Sequence, residues 1–488
     1  MEIEYCQTKN GLETFKINNI FYHSTYDPEK EAERFVSSIS LPYTPSVLFI
    51  VEPGFNYCSK YLENKFPNTK IYNIRFINEF VSLNKSIFYS DFENFLFNNF
   101  TSEEIMNSFL ISWPQAEKIF NTENNLIWNI YKKHLETRKT ELVSRQYFEK
   151  KWFLNSLNFF KYVNHTILLN QTDKPVLIIA SGPSLKDSLK LICENQSKFI
   201  IIGLSSAINI LLKNNIIPDF CVSTDGGFWA TKHLKPLNDY NIPIAITSES
   251  SIQKDFLQKL SVIPLCYSDG LSSELFSELN FPYIKAERNP TVSGTALILA
   301  KQFTTNKVYF AGLDLCCSKG FAHAQPNILE LENSIFDNRI RTKSTRTLYS
   351  EYSTGSLNIF KENFALMQNV SNCFRIINCN ISNQIGKIQN IHISSFENEL
   401  KNLPIINKKS IFQAQKIITL ENKMKIRKEL KKYLIKNSDT QYFMQNLFPI
   451  DFLSINHSSP NDKIKLEEQL NKKKEEYMKK LWRILDDK

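Results

Sequence analysis

The stretch Lys174-Pro-Val-Leu-Ile-Ile-Ala-Ser-Gly-Pro-Ser-Leu185 decides how the chain is read. Val176 to Ala180 is a short, wholly apolar run, as a strand buried on both faces requires. Ser181-Gly182 ends it in a sharp turn. Pro183 then opens a helix, because its fixed φ and missing N–H suit a first helical turn. Such a turn is expected to leave backbone N–H groups at the positive end of a helix dipole, a setting that favours phosphate. It carries one glycine, so it is neither the dinucleotide fingerprint G-x-G-x-x-G nor the P-loop G-x-x-x-x-G-K-[ST].

The same rhythm repeats downstream. A helix over Leu185 to Asn195 leads to a strand over Phe199–Leu204 ending at Ser205-Ser206. The next strand, Phe220–Thr224, ends at Asp225-Gly226-Gly227. Ile244–Thr247 ends at Ser248-Glu249-Ser250, and Val262–Tyr267 at Ser268-Asp269-Gly270. A helix begins near Ser293-Gly294, and Lys307–Ala311 ends at Gly312-Leu-Asp314. Strict strand-helix alternation predicts a doubly wound, Rossmann-like parallel sheet. Ser181, Ser205, Asp225, Ser248, Ser268 and Asp314 all fall just beyond strand C-termini, the edge where open α/β sheets bind ligands. Each alone reads equally well as a cap or turn residue; the coincidence across several strands is what points to a site.

Outside this core, the first 110 residues predict a smaller α/β domain. Its strands are Ser46–Val51, Lys70–Phe76 and Ser108–Trp113, with a helix over Tyr57–Phe66. From Gln115 to about Asn170 the pattern is helical and charged, long enough for two helices. Phe374–Asn378 is a further strand, and beyond Leu400 the chain turns helical, over Ile411–Asn437 and Ile464–Asp486. The expected organisation is an N-terminal α/β domain with connecting helices (1–170), the central domain (171–398) and a helical C-terminal domain (399–488).

Composition excludes several classes. At 488 residues, 42% hydrophobic and 13% aromatic, the chain is a globular one of two or three domains. The net charge of +9 is modest and lies mainly in the C-terminal helices, so no nucleic-acid partner is expected. Nine cysteines show no C-x-x-C pair. Cys193, Cys221 and Cys266 sit in apolar runs, where a reduced buried thiol is expected. The N-terminus has neither a basic nor an apolar targeting segment, and no run is long enough to span a membrane, so a cytoplasmic protein is expected.

Three constellations carry candidate chemistry. The first is Ser181-Gly182-Pro183-Ser184. In the second, Thr224-Asp225-Gly226-Gly227-Phe228-Trp229, Asp225 is placed for a hydroxyl or a metal, and the glycines admit close backbone approach. Trp229 walls a pocket or fills the core. The third runs from Thr291-Val-Ser293-Gly294-Thr295 through a helix to Asp314 and His323. Ser293 is read as the helix N-cap. His323, in a polar loop after a strand end, suits general-base work on a hydroxyl, whereas His134 and His233 lie in helical segments and read as packing or surface residues.

As an ordered set these motifs resemble the motility-associated factor (Maf) flagellin glycosyltransferases. Over roughly 170–395 they are also similar to bacterial sialyltransferases that use CMP-sialic acid and to a pterin diphosphokinase-like group. The resemblance implies inverting transfer of a nonulosonic acid, of the pseudaminic or legionaminic type, from a CMP-activated donor to Ser or Thr hydroxyls of flagellin. It implies that Ser181, Gly182, Pro183, Ser184, Thr224, Asp225, Gly226, Gly227, Ser248, Thr291, Ser293, Gly294, Thr295 and Asp314 hold the nucleotide sugar, and that His323 is the base. Tyr349 and Tyr352 are candidate donors to the departing phosphate. It implies no tightly bound cofactor, and no DxD metal motif is present. The alternatives are a sialyltransferase-like enzyme on surface glycan, or a pterin diphosphokinase-like phosphotransferase using ATP and Mg²⁺ with Asp225 and Asp314 as ligands.

Overall fold

The computed structural model describes residues 3–82, 85–316, 321, 323–343, 355–367, 370, 372–377, 388, 390–408 and 410–486. The chain divides into two compact units, 1–147 with 444–476, and 148–443 with 477–488.

The first unit opens with an antiparallel sheet of β1 (Ile3–Gln7), β2 (Glu13–Ile17) and β3 (Ile20–Phe21), which the sequence reading missed. A parallel sheet follows, built from β4 (Val47–Val51), β5 (Lys70–Arg75), β6 (Ser86–Phe88) and β7 (Ser108–Ser112), in the order β6-β5-β4-β7. All five residues of β4 are buried because helices cover both faces: Leu48 and Ile50 enter one core, Val47, Phe49 and Val51 the other. Pro114 starts a helix, Pro114–Ile119, as its ring favours at a first helical position. The two helices expected from Gln115 onward are this one and the much longer Asn121–Tyr162, which ends short of Asn170. The long helix has no glycine or proline inside to break it.

In the second unit the parallel sheet is built from β8 (His165–Thr166), β9 (Val176–Ile179), β10 (Ile200–Leu204), β11 (Phe220–Ser223), β12 (Ile244–Thr247), β13 (Ser261–Cys266), β14 (Ile284–Lys285), β15 (Val308–Ala311), β16 (Cys373–Ile377) and β17 (His392–Ser395). β18 (Lys416–Ile417) adds to β8 as the antiparallel edge. The order is β17-β16-β15-β9-β10-β11-β12-β13-β8-β18, with β14 beside β13. Alternate residues of each strand enter two different cores. Val176, Ile178, Ile200, Ile202 and Phe310 face one, and Leu177, Ile179, Ile201 and Tyr309 the other. That double coverage is why the strands read as continuous apolar runs.

The doubly wound α/β class expected from the sequence is the one observed. β9 steps to β10, β11, β12 and β13 on one side, and the chain then returns to β15 on the other. The direction of winding therefore reverses between β9 and β15, which opens a crevice beyond their carboxyl ends. Ser181 and Asp314 stand there. Helices Leu420–Asn437 and Pro460–Asp486 bear out the helical C-terminal pattern, although the first starts nine residues later than Ile411.

Candidate functional site

The turn after β9 and the turn after β15 interlock. Gly182 N–H donates to Gly312 O at 2.8 Å, and Gly312 has φ +69, a left-handed conformation that glycine adopts without strain. A Cβ on Gly182 would run into Gly312 O and the Asp314 carboxylate. Asp314, itself buried, accepts from Ser184 N–H at 2.7 Å and from Ser184 Oγ at 2.6 Å. Arg375 of β16, also buried, approaches the same carboxylate at 3.5 Å. Burial lowers the Arg375 pKa, and Asp314 opposes that shift.

This geometry corrects the expectation of a turn with free amides. Gly182 N–H is spent on Gly312, Pro183 has none, Ser184 N–H serves Asp314, and Leu185 N–H turns back to Gly182 O at 3.0 Å. The helix proper starts at Leu185, not at Pro183. An internal carboxylate, supplied from 130 residues away, takes the place assigned to phosphate at Ser184.

The loop bearing His323 docks on the same turn. Ala324 N–H donates to Ser181 O at 2.6 Å, and Ser181 Oγ pairs with Ser206 Oγ at 2.8 Å. Asn327 Nδ2 reaches Ser206 O at 3.1 Å, so the loop is fixed to the ends of both β9 and β10. Burial lowers the His323 pKa, partly opposed by Glu330. His233 lies near enough to interact with it: burial, the His323 ring and, in the opposite sense, Asp225 set the His233 pKa at about 4. The helical position of His233, Phe228–Leu234, hid this proximity in the sequence, and its Nδ1 is buried without a hydrogen-bond partner.

Beyond β11, Asp225 is exposed and accepts from Gly227 N–H at 2.7 Å, in the turn just ahead of that helix. Phe228 and Trp229 pack edge to face and are 59% and 42% exposed, so Trp229 is a surface wall and not core. Gly226 lies against the Trp152 indole, where a Cβ would not fit. Ser248, at the end of β12, accepts from Ser156 Oγ at 3.0 Å.

Helix Val292–Phe303 is capped by Thr291, whose Oγ1 accepts from Gly294 N–H at 3.0 Å. Ser293, expected to be the cap, lies in the first turn; two hydroxyl residues spaced by one leave local sequence unable to choose. Asn289 covers Gly294 closely and accepts from Thr291 N–H at 3.1 Å. Thr295 Oγ1 donates to Glu287 O at 3.4 Å. Burial and the Glu249 charge raise the Tyr267 pKa, opposed by the nearby Thr224 and Thr295 hydroxyls and by the Arg288 charge. Tyr349 and Tyr352 lie outside the described residues.

The sequence reading missed the charged cluster beside these turns. Arg288 binds Glu249 through both terminal nitrogens, at 2.8 and 2.7 Å, and Asp269 through Nε at 2.8 Å. Its guanidinium stacks over Tyr267 at 4.6 Å and Trp152 at 5.0 Å. Burial raises the Glu249 pKa, and Arg288 opposes it. The available signals were an arginine just ahead of a helix start and a glutamate inside the Ser248-Glu249-Ser250 turn. Among the described residues, no group of three His, Cys, Asp or Glu side chains is placed to hold a metal ion, and no helix is long and apolar enough to cross a membrane. Cys221 and Cys266 are buried, while Cys193 is half-buried.

Residues 150–320, which hold the strand ends from β9 to β15, match the model of the 6-hydroxymethylpterin diphosphokinase MptE-like family. An uncharacterised protein of Treponema pallidum (strain Nichols) is 30% identical over 234 residues. That is 48% of this chain and 52% of the relative, so the match spans about half the length of each. The structure of the Maf glycosyltransferase from Magnetospirillum magneticum AMB-1 covers 99% of this chain and 91% of its own, with a TM-score of 0.57 at 12% identity. The chain thus carries the fold of a Maf glycosyltransferase, built around a central MptE-like segment.

Proposed function

We propose that the protein is a glycosyltransferase that moves a nonulosonic acid from a CMP-activated donor to Ser or Thr hydroxyls of flagellin. The observation that carries this reading is the hydrogen bond from Ala324 N–H to Ser181 O, which holds His323 at the crevice where the sheet reverses. The acceptor oxygen forms its bond to the anomeric carbon on the face opposite CMP, and the bond from that carbon to the phosphate oxygen breaks. The electron pair departs with CMP, the configuration inverts, and the acceptor proton passes to His323. Burial lowers the imidazole pKa, which favours the neutral form a base requires. Asp225 and the aromatic pair Phe228–Trp229 are assigned to the donor, and the Thr291-Thr295 helix start to its phosphate. Ser181 to Ser184 and Asp314 form the floor under the donor, since their amides and carboxylate bond to one another.

A second reading, transfer of diphosphate from ATP to a pterin, draws support from the family match over residues 150–320. It needs Asp225 and Asp314 as Mg²⁺ ligands. Both Asp314 oxygens are already bonded, to Ser184 N–H and to Ser184 Oγ with Arg375, which counts against it. Purified protein incubated with CMP-nonulosonic acid and unmodified flagellin should add the sugar's mass to flagellin. No mass gain there, with AMP released from ATP and a hydroxymethylpterin, would overturn the first reading in favour of the second.

A further inference from the structure

A half-open surface pocket of about 230 Å³ lies beside the strand-end site, lined by Asn155, Asn158, Tyr162, Ser250, the exposed Lys254 and two apolar side chains. Its walls are the last turns of helix Asn121–Tyr162 and the segment that follows β12. Two of the polar groups are committed. Asn155 Nδ2 donates to Glu249 O at 2.8 Å, and Ser250 Oγ donates to Ser223 O at 3.0 Å. Asn158, Tyr162 and Lys254 make no side-chain hydrogen bond with another described residue. An amide, a phenol and an ammonium therefore face one small space with their donors unused.

Size and chemistry narrow the occupant. Ligand pockets for drug-sized molecules run from about 300 Å³ upward, so this one suits a single ring and not a nucleotide sugar. Amide and hydroxyl groups beside an aromatic ring match a hydroxylated ring, and among the described lining residues Lys254 is the one charged group, which selects an anion. We propose that this cavity binds one anionic monosaccharide unit, a sugar acid or a sugar phosphate. The neighbouring site shares its wall. Asn155 reaches Gly226 O at 3.5 Å, and Ser251 N–H donates to Asp225 O at 2.9 Å. A unit held here would therefore sit next to the Asp225 turn. The proposal does not depend on which donor the transferase uses, because occupancy is read directly.

The test is isothermal titration of the full chain with glucuronate, glucose 6-phosphate and glucose. At least one of the two anions should bind about tenfold more tightly than glucose, the difference a charge-assisted hydrogen bond supplies. The anion that binds identifies the source as sugar acid or sugar phosphate. Lys254→Gln, at an exposed position that leaves the fold intact, should remove that preference, and Asn158→Leu should weaken all three sugars. No binding by either anion, equal binding of glucose, or an unchanged preference in Lys254→Gln would overturn the proposal. Each result stands whether or not flagellin is modified.

Discussion

Ser184 and Asp314, 130 residues apart, are joined by two hydrogen bonds of 2.7 and 2.6 Å, from the serine amide and its hydroxyl. This pair fastens the turn after β9 to the turn after β15, where the winding has reversed. Asp314→Asn removes a charge that lies between the two Ser184 donors and beside the buried Arg375. The variant should lose roughly 3 kcal/mol of unfolding free energy in urea titration. A loss under about 0.5 kcal/mol would show that Arg375 relies on other partners.

Arg288→Lys keeps the positive charge but gives up the fork that binds both oxygens of Glu249 and the stacking on Trp152 and Tyr267. Glu249 is buried, so the loss should be about 2 kcal/mol, and donor affinity should fall along with it. Calorimetric titration with CMP and thermal melting together check the two effects. Full retention of both would mean that charge alone suffices.

His323→Ala should lower turnover by roughly two to four orders of magnitude while CMP binding is retained. The wild-type pH profile should lose activity only below the ordinary imidazole range, because burial holds this pKa down. A rate that already declines near pH 7 on acidification would assign the base to another group.

Trp229 and Phe228 are exposed, so their removal should leave the fold unchanged. Trp229→Ala should weaken donor binding by about 1 kcal/mol, a several-fold rise in KM with kcat little affected. A change in melting temperature without a change in KM would place the indole in packing alone.

His233 adds a pH term to stability. Its folded pKa of about 4 lies below the ordinary 6.5, so the unfolded chain binds the extra proton first. Stability is then complete above about pH 6.5 and falls as the pH drops from there towards 4, by roughly 1.4 kcal/mol per pH unit at most. His23 of the first unit, at about 3, acts in the same direction over a wider window. His233→Gln should flatten the dependence between pH 6.5 and 4 in denaturant titrations; an unchanged slope would exclude it as a source.

Most of the central sheet was legible because its strands are covered on both faces. Val176–Ile179, Ile200–Leu204 and Val308–Ala311 cannot be polar anywhere, and that leaves a local mark. β8, β14 and β18 escaped because two residues make no pattern, and β1–β3 because their outward residues dilute it. The site divides in the same way. Asp225 and Ser248 announce themselves by standing at strand ends, and His323 by its polar loop after one. The bonds that decide what they do, Ser184 to Asp314 and Arg288 to Glu249, link residues 130 and 39 positions apart, and no local spacing encodes them. The same holds for His233 and His323, whose proximity depends on how one helix and one loop settle on the sheet.

The pairing of β8 with β18 bears on how the chain is made. Ile417 lies opposite His165, so an early strand waits for a partner synthesised about 250 residues later. Until the ribosome has released that segment, the sheet has an unguarded rim of open backbone groups. Nascent chains halted before residue 416 should therefore be the ones that aggregate or recruit chaperones, and those halted after about residue 460 should not.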